Sequence, residues 1–425
     1  MEQRKEIEFV LSHPDAASKQ MLHFATDFAS VSRMPEDLSG KFLSLITESA
    51  RKIVPLAADK VNVSFSADTN LASFSLSGKR LPIGVNVFRG ADEILAVFDE
   101  NTTKVMVSVY RAEEPVLEPV KSAPRGTKLL QLRDKDIPRA CALWRKNFGA
   151  KSPWTFLSAP AKMRQMISAR KLLSVGIYDS GGNLLGVMSA RTFRNPFYAL
   201  VFPPALRSSD VGDPQELLNV IVAKLRLLSP GWILWINGDY AEAVFTDGGN
   251  LRPMGIINHF SFAAPKFVFG KRFAPSEKRE IHPPQQCEDY FLRLAEEFEL
   301  NLEIAPPVYA VPKEETFKFV LQFEKGSQTA TLRFLGFGNK VSGAIKVITN
   351  VFKNLVQFSK STLYLDLPLT SPATRFLGEK LLSTGFGVYG YIPGNYLRLQ
   401  KTVGAKPGRL SLPEGSLLAA VGKFV

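Results

Sequence analysis

The stretch Leu172–Thr192, LLSVGIYDSGGNLLGVMSART, reads as two strands joined by a turn. Asp179-Ser180-Gly181-Gly182-Asn183 supplies residues that accept tight or left-handed backbone, and apolar runs flank it on both sides. Before the hairpin, Lys128–Arg133 reads as a strand. Ala140, Leu143, Trp144 and Phe148 then recur at helical spacing, with Asp134 or Asp136 placed to cap the helix. After the hairpin, Phe197–Phe202 reads as a strand running through two prolines into a loop at Arg207–Asp213. Pro214 opens a helix to about Leu228, and Gly231–Ile236 (GWILWI) is a short buried strand.

The remainder divides on either side of this segment. In residues 1–112, Glu6–Leu11 reads as a strand, with amphipathic helices at Ala16–Val31 and Leu38–Leu56. Alternating strands follow at Val61–Phe65 and Ala72–Leu76, then a short helix near Asp92–Phe98 and a strand at Val105–Tyr110. Two helices on an antiparallel sheet make an α+β sandwich. Residues 113–127 hold three prolines without periodicity and read as a linker. In residues 282–403 a helix covers Cys287–Leu300, and Phe317–Phe323 pairs with Thr329–Leu335. A long helix at Val341–Phe358 turns Ile345, Ile348, Phe352, Leu355 and Val356 inward. Leu363–Leu367, Ala373–Ser383 and Gly387–Ile392 then read strand, helix, strand, and residues 404–425 read as a loose tail.

Composition bounds the function. The 425 residues are 45% hydrophobic and 22% charged, so the chain folds. The formal net charge of +13 suits nucleic acid, an acidic membrane surface or a phosphorylated cofactor without selecting among them. Two cysteines, Cys141 and Cys287, make no disulfide framework or zinc spacing, and His13, His23, His259 and His282 are scattered. The opening MEQRKEIEF lacks the apolar core of a secretion signal, and no apolar run reaches the ~20 residues that span a bilayer. The expectation is a soluble cytoplasmic protein with no membrane partner.

The order of elements in residues 128–281 resembles that of the GNAT acetyltransferases. Leu130–Pro138 (LQLRDKDIP) looks like that family's first strand and its R-x-x-D-I-P entry to helix one. Leu172–Thr192 is similar to its second and third strands. Leu363–Tyr391 (LYLDLPLTSPATRFLGEKLLSTGFGVYGY) resembles its closing strand–helix–strand, so residues 282–403 look like a second, half-length copy. The first segment faintly resembles the ATPase module of anti-sigma-factor kinases, with Glu48 in the place of the family's helix glutamate. The fold class implied is α+β and α/β, an ATPase-like sandwich followed by two GNAT-like mixed-sheet domains, as in bacterial fusions of these modules.

The GNAT resemblance implies acetyl-CoA as cofactor and a small-molecule or protein amine as acceptor. By it, Arg207, Ser208, Ser209 and Gly212 would meet the pyrophosphate, and backbone groups of Val201 and Phe202 the pantetheine arm. The loop departs from R/Q-x-x-G-x-G/A, because only Gly212 remains of its glycines and Asp210 and Asp213 bring negative charge. Tyr198, Asp239, Tyr240, Glu242, His259, Tyr389 and Tyr391 are the ionisable candidates for proton transfer. Each also reads as core or surface, so no catalytic residue is assigned. In the first segment Lys52 stands where the family's metal-holding Asn would lie, and Leu76-Ser77-Gly78 replaces its D-x-G. Gly90-Ala91-Asp92 is all that remains of a glycine-rich lid. ATP binding is therefore not expected there, and contact with a protein partner, or pairing into a homodimer, is. The rival to an acyltransferase is a non-catalytic regulatory protein whose ATP and acetyl-CoA sites have both decayed. Nucleic acid is the weakest option, resting on Lys266–Arg279 with Phe267, Phe269 and Phe273 interleaved.

Overall fold

A computed structural model describes residues 5–11, 14–57, 60–79, 81, 88, 90–99, 102–111, 127–150, 152–194, 197–208, 211, 214–237, 251–259, 261–262, 264–307, 317–337, 341–358, 360–404 and 417–420. Its contacts divide the chain into two compact units. One joins Met1–Ala112 to Pro312–Asp366, and the other joins Glu113–Val311 to Leu367–Val425.

The first unit contains β1 (Lys5–Leu11), α1 (Pro14–Val31), α2 (Glu36–Lys52), β2 (Val61–Ala67), β3 (Leu71–Gly78), β4 (Glu93–Phe98) and β5 (Thr103–Tyr110). Numbered along the chain, its later elements are β16 (Phe317–Glu324), β17 (Thr329–Phe337), α7 (Val341–Val356) and the start of β18 (Ser361–Pro368). The strands lie in the order β1-β2-β3-β5-β4-β16-β17-β18, antiparallel except for the parallel pair β17–β18. Alternation decides the buried face: Val63, Phe65, Phe74, Leu76, Val105 and Val107 are all core. Met21 and Ala25 of α1 and Phe42 and Ile46 of α2 are buried as well, and the Phe42 ring meets Phe65 edge-on at 5.5 Å.

Two expectations change here. Glu93–Phe98 (EILAVF) is a strand rather than a helix, because it pairs with β5 on one side and β16 on the other. That second pairing also divides the stretch 282–403, expected as one module, between the two units. In α7 the buried residues are Ala344, Ile348, Val351 and Leu355, so the inward face is rotated from the expected one and Val356 is exposed.

The second unit opens with β6 (Thr127–Gln131), α3 (Ile137–Phe148), α4 (Pro160–Ser168), β7 (Leu172–Asp179), β8 (Leu184–Phe193), β9 (Tyr198–Val201) and β10 (Ala205–Leu206). It continues with α5 (Pro214–Arg226), β11 (Trp232–Asn237), β12 (Arg252–Ile257), β13 (Lys266–Arg272) and α6 (Glu288–Glu297). A small parallel pair, β14 (Arg279–Ile281) and β15 (Leu302–Ile304), stands apart from the main sheet. Then come α8 (Ala373–Ser383), β19 (Gly387–Ile392) and β20 (Tyr396–Val403). The main sheet runs β6-β7-β8, then β9 and β10 side by side along β8, then β11-β13-β12-β19-β20. Among the described residues only β9–β11 is parallel in this sheet. Leu417 and Leu418, expected in a loose tail, are buried in a 3-10 turn that packs on α6 and β12. Among the described residues no helix is long and apolar enough to cross a membrane.

The R-x-x-D-I-P stretch is a structural lock. Asp136 is wholly buried and accepts from Arg133 Nε at 2.6 Å and from the Tyr178 hydroxyl at 3.2 Å, so it makes no cap bond. Arg133 also donates to Gly182 O at 2.6 Å and stacks over the Tyr178 ring. The end of β6 is thereby pinned to the hairpin that follows two helices later. In that hairpin's turn, hydrogen bonds from Asn183 hold the Asp179 carboxyl below its usual pKa.

His282 gives a test by pH. It is buried, and desolvation pushes its imidazole below the ordinary value, with Arg375 acting the same way and Glu280, at 3.6 Å, against them. The unfolded chain therefore takes up the proton first, so stability is full above about 6.5 and falls as the pH drops toward the lower folded value. Thermal melts across that window should show a slope that His282→Gln flattens. Parallel profiles for the two proteins would refute this.

Candidate functional site

Four short features build the site in the second unit. On one side β9 pairs with β8 from Phe193↔Tyr198 to Ala190↔Val201, and on the other with β11 from Tyr198↔Trp232 to Val201↔Trp235. Next come Phe202, Pro203 and Pro204. Proline has no N–H to donate, so two in succession interrupt a ladder. Phe202 still donates its N–H to Ser189 O at 2.9 Å. Ala205–Leu206 then return to β8 at Val187 and Gly186 alone, whereas β11 runs on to Asn237 paired with β13. β9 and β11 thus part company after Val201.

Gly186 permits the return. A Cβ there would stand 2.7 Å from Leu206 Cδ2 and 3.0 Å from Ile177 Cδ1, so a larger residue would force the Leu206 and Ile177 side chains to shift. The C-terminal turn of α3 holds β10 from the side. Asn147 Nδ2 donates to Leu206 O at 2.9 Å, and Lys146 Nζ donates to Arg207 O at 2.9 Å. Between these elements lies an open cleft of about 330 Å³ lined by Lys146, Asn147, Pro204, Leu206, Arg207 and Ser208. Two cations and two amide or hydroxyl side chains face it, and none of these lining residues is acidic. Such a lining suits an anionic, phosphate-bearing ligand.

Of the residues expected to contact the cofactor, the structure brings Arg207 and Ser208 to this cleft. Arg207 is half-buried and Ser208 exposed. Val201 is buried at the last parallel pair, and the N–H of Phe202 is already committed to Ser189. Ser209 and Gly212, with Asp210 and Asp213, lie outside the described residues, as do Asp239, Tyr240 and Glu242.

The remaining candidates for proton transfer are held elsewhere. Tyr198 stacks on Phe193 at the opposite end of β9. His259 is buried, and its Nδ1 lies 2.7 Å from Ser261 Oγ and accepts the Ser261 N–H at 3.2 Å. Tyr389 is buried with Arg398 over its ring. Tyr391 donates to Asn395 Oδ1 at 3.1 Å, and burial pushes its hydroxyl up to about 12, so it stays protonated at neutral pH. In the first unit Lys52 Nζ sits 2.6 Å from Glu48 Oε1, so each charge answers the other.

Two features were missed from sequence. Lys146 and Asn147 carry no motif; their place at the end of α3 beside a returning strand is a tertiary fact. The other had a signal: Arg333-x-x-Gly336-x-Gly338 has the R-x-x-G-x-G spacing, on the parallel pair β17–β18 of the first unit. There Arg333 is not offered to a ligand. Its Nε and Nη2 both reach Asp366 Oδ2, at 2.9 and 2.8 Å, and Asp366 is wholly buried. Gly338 lies outside the described residues.

No protein-family model matches the chain, and no curated protein does. Solved structures that resemble part of it are acetyltransferases. Aminoglycoside 6'-acetyltransferase type Ii is 13% identical, covering 35% of this chain and 99% of its own, with a TM-score of 0.27. The SpeG spermidine N-acetyltransferase of Vibrio cholerae (an F149G mutant) is 13% identical over 34% of this chain and 93% of its own, at 0.27. A GNAT superfamily phosphinothricin acetyltransferase from Sinorhizobium meliloti, solved with AcCoA, is 16% identical over 36% and 94%, at 0.29. At these scores the likeness supports no inference about this chain.

Proposed function

We propose that the second unit binds acetyl-CoA and transfers its acetyl group to an amine. One observation carries this reading: the parallel strands β9 and β11 part at Phe202-Pro203-Pro204, directly before a cleft bearing Lys146 and Arg207. A parted pair leaves backbone groups for an extended arm, and the two cations offer charge-assisted hydrogen bonds to a pyrophosphate. Arg207 and Ser208 would hold the phosphates, with Ser209 and Gly212 of the same loop, and Val201 and Phe202 would border the arm through their carbonyls. The acyl group and the thiol leaving group belong to the cofactor; the chain binds and orients it.

Titration calorimetry with acetyl-CoA is the test. Binding should be measurable, and Lys146→Ala/Arg207→Ala should weaken it by a factor on the order of a hundred, from two lost charge-assisted contacts. Absence of heat at millimolar ligand retires the reading.

A second reading is favoured by the rings beside the same strand. Trp154, Phe156 and Phe202 are all buried, with Trp154 and Phe156 each 5.5 Å from Phe202 and Phe262 packed on Trp154 at 5.4 Å. A core closed in this way suits a non-catalytic regulatory protein that keeps the scaffold and uses its first 112 residues for contact with a protein partner or a second copy. Recovery of a stoichiometric partner, with acetyl-CoA inert, would select it.

A further inference from the structure

The end of the second unit's sheet opposite the cleft gathers segments far apart in sequence. Register places them together: Leu172 faces Arg191, Phe193 faces Tyr198, and Tyr198 and Arg272 both face Trp232. Arg170 and Lys171 precede β7, Arg191 lies near the end of β8 and Arg194 just past it, Arg226 ends α5, and Lys271 lies near the end of β13. Residues 168–172, 191–194, 226–232 and 270–275 contain no aspartate or glutamate. Arg272 is set apart, because it reaches Glu299 at 3.9 Å.

Exposed apolar side chains stand within this cationic rim. Leu227 is 84% exposed and Leu228 51%, in the turn between α5 and β11, and Phe273 is 39% exposed at the end of β13. Phe273 N donates to Gly231 O at 2.8 Å, which ties its strand end to that turn. Adjacent exposed apolar side chains rimmed by charged ones mark an interaction site.

We propose that this surface docks on an anionic lipid bilayer, with Leu227, Leu228 and Phe273 entering the headgroup boundary and the six cations meeting lipid phosphates and carboxylates. Charge complementarity selects an anionic partner, and the apolar tips select lipid over nucleic acid. Bases would need open aromatic faces to stack on. Here the Phe273 ring carries Arg226 at 5.4 Å and Lys271 at 5.7 Å, and Phe193 is stacked on Tyr198 at 4.4 Å with Arg191 at 4.8 Å. Aliphatic tips with a basic surround are the chemistry of a peripheral membrane contact.

Sedimentation of the full chain with vesicles tests this, using phosphatidylcholine alone and phosphatidylcholine with phosphatidylserine. The chain should pellet with the anionic vesicles, stay in solution with the neutral ones, and be released by salt. Leu227→Ser/Leu228→Ser should lower partitioning about tenfold, since both side chains stop contributing burial. Arg226→Glu/Lys271→Glu should remove the preference for phosphatidylserine. The serine variant changes only solvent-facing positions and decides the question even if the charge-reversed protein fails to fold. Equal partitioning to both vesicles, or no loss in the serine variant, would overturn the proposal. So would a single-stranded oligonucleotide binding more tightly than the anionic vesicles, which would assign the patch to nucleic acid.

Discussion

Gly390→Ala is expected to destabilise the second unit by roughly 4 kcal/mol, backbone strain and overpacking acting together. Gly390 has φ +135°, and a Cβ there would overlap Met254 O and lie 2.9 Å from Gly255 Cα and 3.0 Å from Tyr290 Oη. The crowding arises because β12 and β19 meet at Gly255↔Gly390, where each strand is also bulged against its other neighbour. Tyr290 fastens the joint. Its hydroxyl donates to Met254 O at 2.5 Å and accepts the Tyr391 N–H at 2.9 Å, and burial raises its pKa so that it remains a donor. Melting temperature should fall by about 10 °C. Tyr290→Phe should cost less, about 1–3 kcal/mol, by leaving two buried backbone groups unpaired. A Gly390→Ala protein that melts like the parent would show that the strands can part there without penalty.

Asp366→Ala should cost about 3 kcal/mol in the first unit. Arg333 and Asp366 face each other across the parallel pair β17–β18, and the carboxylate is fully buried. Removing it strands a guanidinium that is 28% exposed, which places the loss at the lower end for a broken buried pair. The rescue discriminates: Arg333→Met/Asp366→Leu should recover most of the stability, because an apolar pair carries no desolvation penalty. Denaturant melts of the three proteins check it. A double variant no better than Asp366→Ala would mean that the pair supplies more than charge balance.

Legibility followed the range of the forces. The hairpin at Leu172–Thr192 could be read because Asp179–Asn183 dictates its own turn, and α8 because its apolar spacing is local. Glu93–Phe98 could not: EILAVF suits either period, and the choice is made by β16, more than two hundred residues on. The inward face of α7 was displaced for a similar reason, since its packing partner β17 sets the rotation. At the candidate site Arg207 and the two prolines were visible, but Lys146 and Asn147 were not, because only tertiary packing brings a helix end to a returning strand. The Arg333-x-x-Gly336-x-Gly338 spacing went unread, and its arginine is in any case taken by Asp366, a carboxylate that the spacing does not mention.

The first unit is completed by residues 312–366, whose β16 lies along β4. During synthesis the opening 112 residues therefore leave the ribosome with one sheet margin bare, and they wait through two hundred further residues for the strand that covers it. Such a margin is a template for stray pairing. Expressed without residues 312–366, a piece ending near residue 112 should aggregate, because the β4 margin that β16 covers stays bare.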